Sequence, residues 1–262
     1  CGSLTEIVLP DGVSSLEDNT FAWCGTLTDV TLPDGITYIG FDVFTGCPET
    51  LKLYCDIDRD TAETLTLMGY TACVRMLSQP DYWFGLQGSL SGQTLTVSRY
   101  TGSASALEIP AEVEGIPVVA IGLGAFQDCA GLQTVVLPQS VTSIGASAFQ
   151  GCAGLTSVIV PEGVTQIKVY TFAGCVALAS VALPDGITDV YYGAFEGCPE
   201  GLKFYCKLSG TTAGALGEQG YEFRDPDHPG YVFKGDPSEQ GAVELVAYEG
   251  EGGDIAIPTG VA

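Results

Sequence analysis

Residues 132–154 read LQTVVLPQSVTSIGASAFQGCAG, and the next two stretches, 155–177 (LTSVIVPEGVTQIKVYTFAGCVA) and 178–200 (LASVALPDGITDVYYGAFEGCPE), repeat this pattern every 23 residues. Two more units of the same kind begin at Leu4 and Leu27. A fixed period of about 20–50 residues is typical of solenoids, in which each coil buries its inward side chains against the equivalent positions of its neighbours. The sequence therefore predicts a stack of short coils.

Two columns of the repeat mark its interior. Phenylalanine recurs at repeat position 18, and cysteine follows three positions later. The phenylalanines are Phe21, Phe44, Phe126, Phe149, Phe172 and Phe195; the cysteines are Cys24, Cys47, Cys129, Cys152, Cys175 and Cys198. We expect each of these residues to be buried against its equivalent in the next coil.

Each unit is divided into short elements. The opening Leu-x-x-Val-x-Leu alternates with period two, which predicts a strand with one buried face. The Pro-Asp-Gly that follows it in several units predicts a turn. A second short strand, such as Val141–Ile144, leads to the Ala-Phe-x-Gly-Cys segment, which is too short for more than one helical turn or a 3₁₀ piece.

With these residues the chain resembles the BspA-like leucine-rich repeat family, whose units read Leu-x-x-Ile-x-Leu-Pro-x-x-Val-x-x-Ile-Gly-x-x-Ala-Phe-x-x-Cys. The resemblance covers roughly residues 1–55 and 107–206. It implies an α/β repeat solenoid, a right-handed superhelix with short parallel strands, short 3₁₀ or helical segments and capping helices. It also implies a bacterial cell-surface or secreted protein that binds proteins or host matrix.

The repeats stop twice in the same way, at CPETLKLYC (47–55) and CPEGLKFYC (198–206). Each stop is followed by a short predicted helix, Thr61–Met68 or Thr211–Glu218, that ends in Gly-Tyr, as expected of a helix C-cap. A helix at this place covers the open end of a solenoid core.

These landmarks predict three segments. They are 1–77, the end of a first repeat block with its C-terminal cap; 78–226, a complete second block (β-rich N-terminal cap 78–110, repeats 111–206, C-terminal cap 207–226); and 227–262, the truncated start of a third block.

Cys1 occupies the position that Cys24 has one unit later, so we expect a fragment that begins inside a repeat, with signal and anchor outside it. The alternative is that Cys1 is the lipidated first residue of a lipoprotein.

Thirty-two acidic against nine basic residues give a net charge of −23. This charge disfavours nucleic acid and anionic lipid surfaces as partners. No apolar run approaches the roughly 18 residues needed to span a bilayer, so direct membrane insertion is not expected. The acids lie mainly in turns, such as those at Asp11, Asp34, Glu162 and Asp185, which favours a solvated exterior over paired catalytic carboxylates.

Ten cysteines are present, and most of them belong to the repeat column. Because equivalent side chains run parallel from coil to coil, the column is interpreted as free, buried thiols that act as small hydrophobes. Disulfides stay open as an alternative, including Cys47–Cys55 and Cys198–Cys206. No Cys-x-x-Cys pair occurs, so no zinc site is predicted.

Catalytic, cofactor and metal sites are not predicted. His228 is the only histidine and lies in a linker-like Asp-Pro-Asp-His-Pro segment, which leaves serine and cysteine nucleophiles without a base. Asp56, Asp58 and Asp60 imitate the start of a calcium loop but lack its glycine and its final glutamate. Helix capping explains these aspartates better than calcium does.

A recognition role would use side chains that point outward. The first strands present a small, nearly neutral set: Glu6, Val8, Asp29, Thr31, Thr134, Val136, Ser157 and Ile159. Larger aromatic residues break the consensus just before the phenylalanine, and they form the candidate binding patch: Tyr38, Phe41, Tyr170, Tyr191 and Tyr192. Packing between adjacent coils is the competing explanation for these residues.

Three functions are therefore considered. The first is a non-enzymatic adhesion or protein-binding module whose partner is an extracellular protein or glycan. The second is a spacer that displays another domain from the cell envelope. The third, an enzyme, has no motif that supports it.

Overall fold

The computed structural model describes residues 2–33, 36, 38–48, 50–55, 71–74, 79–87, 93–113, 115–228, 230–235 and 243–249. Packing divides the chain into two units. The first is Cys1–Thr101 with Val113–Pro117, and the second is Gly102–Glu112 with Val118–Ala262. Each unit is a stack of coils connected by parallel strands, so the predicted solenoid is confirmed.

In the first unit, the first strand of each coil joins one parallel ladder. This ladder consists of β1 (Glu6–Val8), β3 (Asp29–Leu32), β5 (Lys52–Cys55) and β6 (Thr71–Val74). Two antiparallel strands extend it, β7 (Tyr82–Gln87) and β8 (Thr94–Tyr100). The second strands, β2 (Ser15–Leu16) and β4 (Tyr38–Ile39), pair with each other.

The second unit repeats this plan. Its parallel ladder consists of β9 (Ala106–Glu108), β12 (Thr134–Val136), β14 (Ser157–Ile159), β16 (Ser180–Ala182), β18 (Lys203–Tyr205) and β19 (Glu222–Arg224). Antiparallel β20 (Tyr231–Gly235) and β21 (Val243–Tyr248) follow. The remaining strands of this unit are β13 (Ser143–Ile144), β15 (Gln166–Ile167) and β17 (Asp189–Val190), whereas β10 (Glu112–Val113) and β11 (Ile116–Ile121) have residues in both units. Ser157 faces Ser180 and Gln166 faces Asp189, so the sequence period sets the register.

The phenylalanine column forms the centre of each stack. Phe126, Phe149, Phe172 and Phe195 are buried with nearly parallel rings whose centroids lie 5.0, 5.5 and 5.5 Å apart. In the first unit the rings of Phe21 and Phe44 are also nearly parallel, and their centroids lie 5.6 Å apart. The expected stacking of equivalent residues is confirmed.

The Phe–Cys segment differs from the predicted helical turn. Amides of alternate residues close i→i−3 turns, such as those of Gln150 and Cys152, whereas the amides between them donate to the next coil. Phe149 N donates to Thr171 O at 2.9 Å, and Gly151 N donates to Ala173 O at 2.8 Å. This third side of the coil is thus a further hydrogen-bonded ladder, which satisfies backbone groups that a short helix would leave unpaired.

The helix predicted after the second set of repeats is present as α1 (Thr211–Glu218). Gly220 has φ +77°, its amide donates to Gly217 O, and the Tyr221 amide donates to Leu216 O. These two bonds form the Schellman motif that the Gly-Tyr sequence predicts. The centroid of the Tyr221 ring lies 4.9 Å from that of the Phe204 ring, and this contact holds the cap against the core. The other predicted helix, 61–68, lies outside the described residues.

Candidate functional site

All five residues of the predicted aromatic patch are substantially exposed. Their exposed fractions are 49% for Tyr38, 76% for Phe41, 39% for Tyr170, 43% for Tyr191 and 76% for Tyr192. Tyr38 lies in β4, and the other four follow the second strand of their coils, at the corner before the Phe–Cys segment. Packing between coils is seen for Tyr170, because a β-carbon at Gly193 of the next coil would lie 2.6 Å from its Cε1. A binding role for these residues stays a prediction.

The exposed surface at this corner extends beyond the predicted patch. Leu123 and Val169 occupy the same repeat position as Tyr192 in earlier coils of the second unit, and both are exposed. We call Leu123, Val169 and Tyr192 the apolar ridge. Sequence reasoning missed its two aliphatic members because a single exposed Leu or Val does not stand out in one repeat. Beside the ridge, Gln166, Lys168 and Tyr191 line a cavity of about 230 Å³.

The backbone explains how two of the aromatic side chains are directed. Repeat positions 16 and 20 have left-handed conformations in both units, with glycine at many of them, including Gly46, Gly124, Gly174 and Gly193. Tyr170 occupies position 16 with φ +56°, and Trp23 occupies position 20 with φ +61°. The left-handed conformation costs a residue other than glycine about 1–2 kcal/mol, and bulky residues rarely adopt it.

Trp23 is a functional candidate that the sequence prediction missed. Its side chain is 75% exposed, and its indole lies over Gly46 of the next coil. The signal was present in the sequence, since FAWC (21–24) breaks the Phe-x-Gly-Cys pattern of FTGC (44–47). The weaker variant FQDC (126–129) places Asp128 at the same repeat position.

A groove runs along the second unit over the glycines of position 20. Its floor is Gly151, Gly174 and Gly197, and its walls are Asp128, Gln150, Tyr170 and Glu196; we call it the glycine groove. Its volume is about 430 Å³. Asp128 stands over Gly151, where a β-carbon would collide with its carboxylate. None of the ion pairs among the described residues involves Asp128 or Glu196.

The outer face of the strand ladder is as the sequence predicted. Val8, Val136 and Ile159 are exposed, and residues between them on the same strands, such as Val135 and Val158, are buried. Apart from these three, the predicted outward residues of this face are polar. No aromatic side chain is among the residues predicted to point outward on this face.

The cysteines are free thiols, as predicted, in the part of the chain described here. They are Cys24, Cys47, Cys129, Cys152, Cys175, Cys198 and Cys206. The side chains of Cys1, Cys55 and Cys73 lie outside the described residues.

The thiols also form hydrogen bonds that the sequence did not predict. Cys152 Sγ donates to Phe126 O at 3.1 Å, and Cys175 Sγ donates to Phe149 O at 3.2 Å. Burial raises the pKa of Cys175 to about 12 and that of Cys198 to about 11. These thiols stay protonated at neutral pH and are poor nucleophiles.

His228 is not a free linker side chain. Its Nδ1 lies 2.9 Å from Oδ2 of Asp225, a carboxylate that is almost fully buried. Burial would raise the pKa of Asp225, but hydrogen bonds from His228 and from the Asp227 and Leu208 amides outweigh it and lower that pKa. This pair, together with the Leu208 and Asp227 amides that donate to Asp225, fixes the chain between β19 and β20.

No group of three or more His, Cys, Asp or Glu side chains suited to a metal ion occurs among the described residues. The calcium-like Asp56, Asp58 and Asp60 lie outside them. No helix in the described ranges is long and apolar enough to cross a membrane.

Comparison with known proteins gives a family match. The family model described as BspA type leucine rich repeat region matches residues 1–69 and 100–213 in six copies, which is more than half of the chain. No curated protein sequence matches the chain.

Several solved structures are similar. A leucine rich cell surface protein from Faecalibacterium prausnitzii is 31% identical with a TM-score of 0.47, over 79% of this chain and 55% of that chain. A leucine-rich repeat protein from Bacteroides capillosus is 28% identical with a TM-score of 0.42, over 47% of this chain and 94% of that one. The T. pallidum leucine rich repeat protein is 24% identical with a TM-score of 0.41, over 49% of this chain and 70% of that one. The chain thus spans little more than half the length of the Faecalibacterium protein.

Proposed function

Because the chain belongs to the BspA-type leucine-rich repeat family, we propose that it is a non-enzymatic recognition scaffold of the bacterial cell surface or exterior. Its partner is an extracellular protein or a glycan. The observation that supports this proposal is the exposure of Tyr170, Tyr191 and Tyr192 together at one corner of the second unit. Exposed aromatic residues on a rigid frame are the groups that dominate binding energy at interfaces.

The frame around these residues is well suited to recognition. Ladders of backbone hydrogen bonds connect the coils, so the positions of outward side chains are set by the register of the stack. Side chains held in this way lose little conformational freedom when a partner binds. The charge of −23 favours partners that are neutral or basic.

The experiment is a binding screen of the labelled chain against purified host extracellular-matrix proteins and an array of immobilised glycans. The double variant Tyr191→Ala/Tyr192→Ala is expected to bind the partner at least about tenfold more weakly, because it removes two interfacial rings. Its urea unfolding midpoint should stay close to that of the wild type, since both side chains are exposed.

Ile159→Ala is the matched control, because Ile159 is an exposed apolar residue on the strand face. An unchanged affinity in the double variant, or an equal loss in the control, would contradict the proposed surface. If no protein or glycan binds at all, the spacer function becomes the better explanation.

A further inference from the structure

We propose that the glycine groove of the second unit binds a neutral glycan through the Tyr170 ring and the polar side chains beside it. This inference rests on the proposed function and names the class of ligand. It shares Tyr170 with the surface of the general proposal but places the ligand over the glycines of position 20, whereas Tyr191 and Tyr192 lie at positions 14 and 15.

The shape of the groove comes from the repeat itself. Gly151, Gly174 and Gly197 follow one another up the stack with φ values of +73°, +72° and +73°, and they leave a floor without side chains. Two steps of about 4.8 Å each separate the first glycine from the last. Asp128 closes one end of this floor. The volume of about 430 Å³ lies within the range of about 300–1,000 Å³ typical of ligand sites.

The walls of the groove offer two kinds of contact. A β-carbon placed on Gly193 would lie 2.6 Å from Tyr170 Cε1 and 3.2 Å from Glu196 Oε2, so the ring and the carboxylate flank the same point. A pyranose ring has an apolar C–H face that packs on an aromatic ring and hydroxyl groups that donate hydrogen bonds. Glu196 and Asp128 accept such bonds, and the Gln150 amide both donates and accepts.

Charge selects among the possible ligands. Two carboxylates line the groove, and Lys and Arg are absent from its lining. Sialylated or sulfated glycans would place negative charge beside Asp128 and Glu196, which disfavours them. A basic peptide would be attracted by the same carboxylates, so it is tested beside the sugars as the competing ligand. The mixture of ring, amide and carboxylates therefore favours neutral sugars.

The backbone at Tyr170 supports a functional role for its ring. Position 16 is occupied by glycine at Gly124 and Gly193 and by short polar residues at Asn19, Asp42 and Ser147, whereas here a bulky tyrosine is held at φ +56°. In the first unit Trp23 is likewise held in a left-handed conformation, and its indole lies over Gly46. Strained conformations of this kind concentrate at functional sites. Each unit thus displays one large ring over a glycine of the next coil.

The experiment uses the full chain on an array of neutral hexose and N-acetylhexosamine oligosaccharides, their sialylated and sulfated counterparts, and an oligoarginine peptide. We expect retention of neutral oligosaccharides only, with an affinity that changes little between low and physiological salt, because no ion pair forms. Retention of the anionic glycans or of oligoarginine in preference to neutral sugars, or binding that salt abolishes, would overturn the proposal.

Two variants assign the binding to the groove. Tyr170→Gly and Asp128→Gly introduce the residue that other coils carry at these positions, so the left-handed backbone is retained without strain. Each is expected to weaken glycan binding about tenfold or more with an unfolding midpoint near that of the wild type. Ile159→Ala should bind as the wild type does. Full affinity in both glycine variants would place the glycan elsewhere and refute the groove.

The two proposals fail in different ways. If no sugar binds but a matrix protein does, and Tyr191→Ala/Tyr192→Ala abolishes that binding, the recognition function stands and the glycan inference fails. If neither sugars nor proteins bind, both fail.

Discussion

At the residue scale, the cysteine column has a more specific role than filling space. Each thiol of Cys152, Cys175 and Cys198 donates to the carbonyl of the phenylalanine one coil earlier. The donor is weak, and the carbonyl already accepts a hydrogen bond from the amide of the cysteine in its own coil, so the thiol is its second partner. The column thus connects coils through side chains as well as through the backbone.

This role predicts a dependence of stability on alkaline pH. The pKa of Cys175 rises from 9.0 to about 12 on folding. The unfolded chain therefore releases this proton first, so stabilisation by the protonated thiol is complete below pH 9.0 and declines as the pH rises toward 12. We expect the urea midpoint of the wild type to fall between about pH 9 and pH 11, and that of Cys175→Ser to fall less. Equal declines in the two proteins would show that this thiol does not carry the effect.

At the element scale, α1 is attached to the last complete repeat by its first two threonines. Thr212 is fully buried; its hydroxyl donates to Pro184 O and accepts from the Ile187 amide at 3.0 Å. Thr211 donates to Ile187 O at 2.9 Å but is exposed. The start of the helix has no side-chain N-cap of its own, so these contacts orient the cap on the core.

The two threonines predict different costs on substitution. Thr212→Val keeps the shape of the side chain but leaves a buried amide and a buried carbonyl unpaired, and should lower the free energy of unfolding by about 2–4 kcal/mol. Thr211→Val should cost less than about 1 kcal/mol, because water replaces its bonds. Urea denaturation of both variants measures these changes in the free energy of unfolding. The assigned role of Thr212 would be wrong if the two values were equal.

At the scale of the whole molecule, stability is distributed along the stack. Each coil contacts the coils before and after it, so the free energy is approximately a sum over coils and their interfaces. The interior of the second unit repeats at 23-residue steps in its strands, its phenylalanines and its thiols. One entire coil is therefore exchangeable with the next.

Removal of one coil tests this property. Deletion of residues 155–177 is expected to give a folded, cooperatively unfolding protein of lower stability, in which Phe149 stacks on Phe195. Deletion of 155–174 removes three residues fewer and places phenylalanine and cysteine out of register with their neighbours. We expect this second protein to be less stable than the first and to lose part of its strand signal in far-UV circular dichroism, because the mismatch disrupts the coils next to the deletion. Equally stable products of the two deletions would contradict a register set by the repeat.

Much of this fold follows from the sequence alone. The predictable features were the period, the two strands of each coil, the buried Phe149 and Cys152 columns and the cap at Gly220. They were predictable because residues that pack on their equivalents in the next coil recur in the sequence at equal intervals. The departure of Tyr170 and Tyr192 from the consensus was visible in the sequence, but it did not distinguish exposure from packing between coils.

Other features depended on the tertiary structure. The hydrogen-bonded ladder of the Phe–Cys segment, the thiol donors, the ring of Trp23 over Gly46 and the groove beside Asp128 each join atoms of different coils. The sequence of one repeat specifies the local conformation of that repeat and the face that it buries. The partner of an amide, a thiol or a ring is fixed only when the next coil is stacked upon it, because that coil supplies the acceptor or the bare glycine.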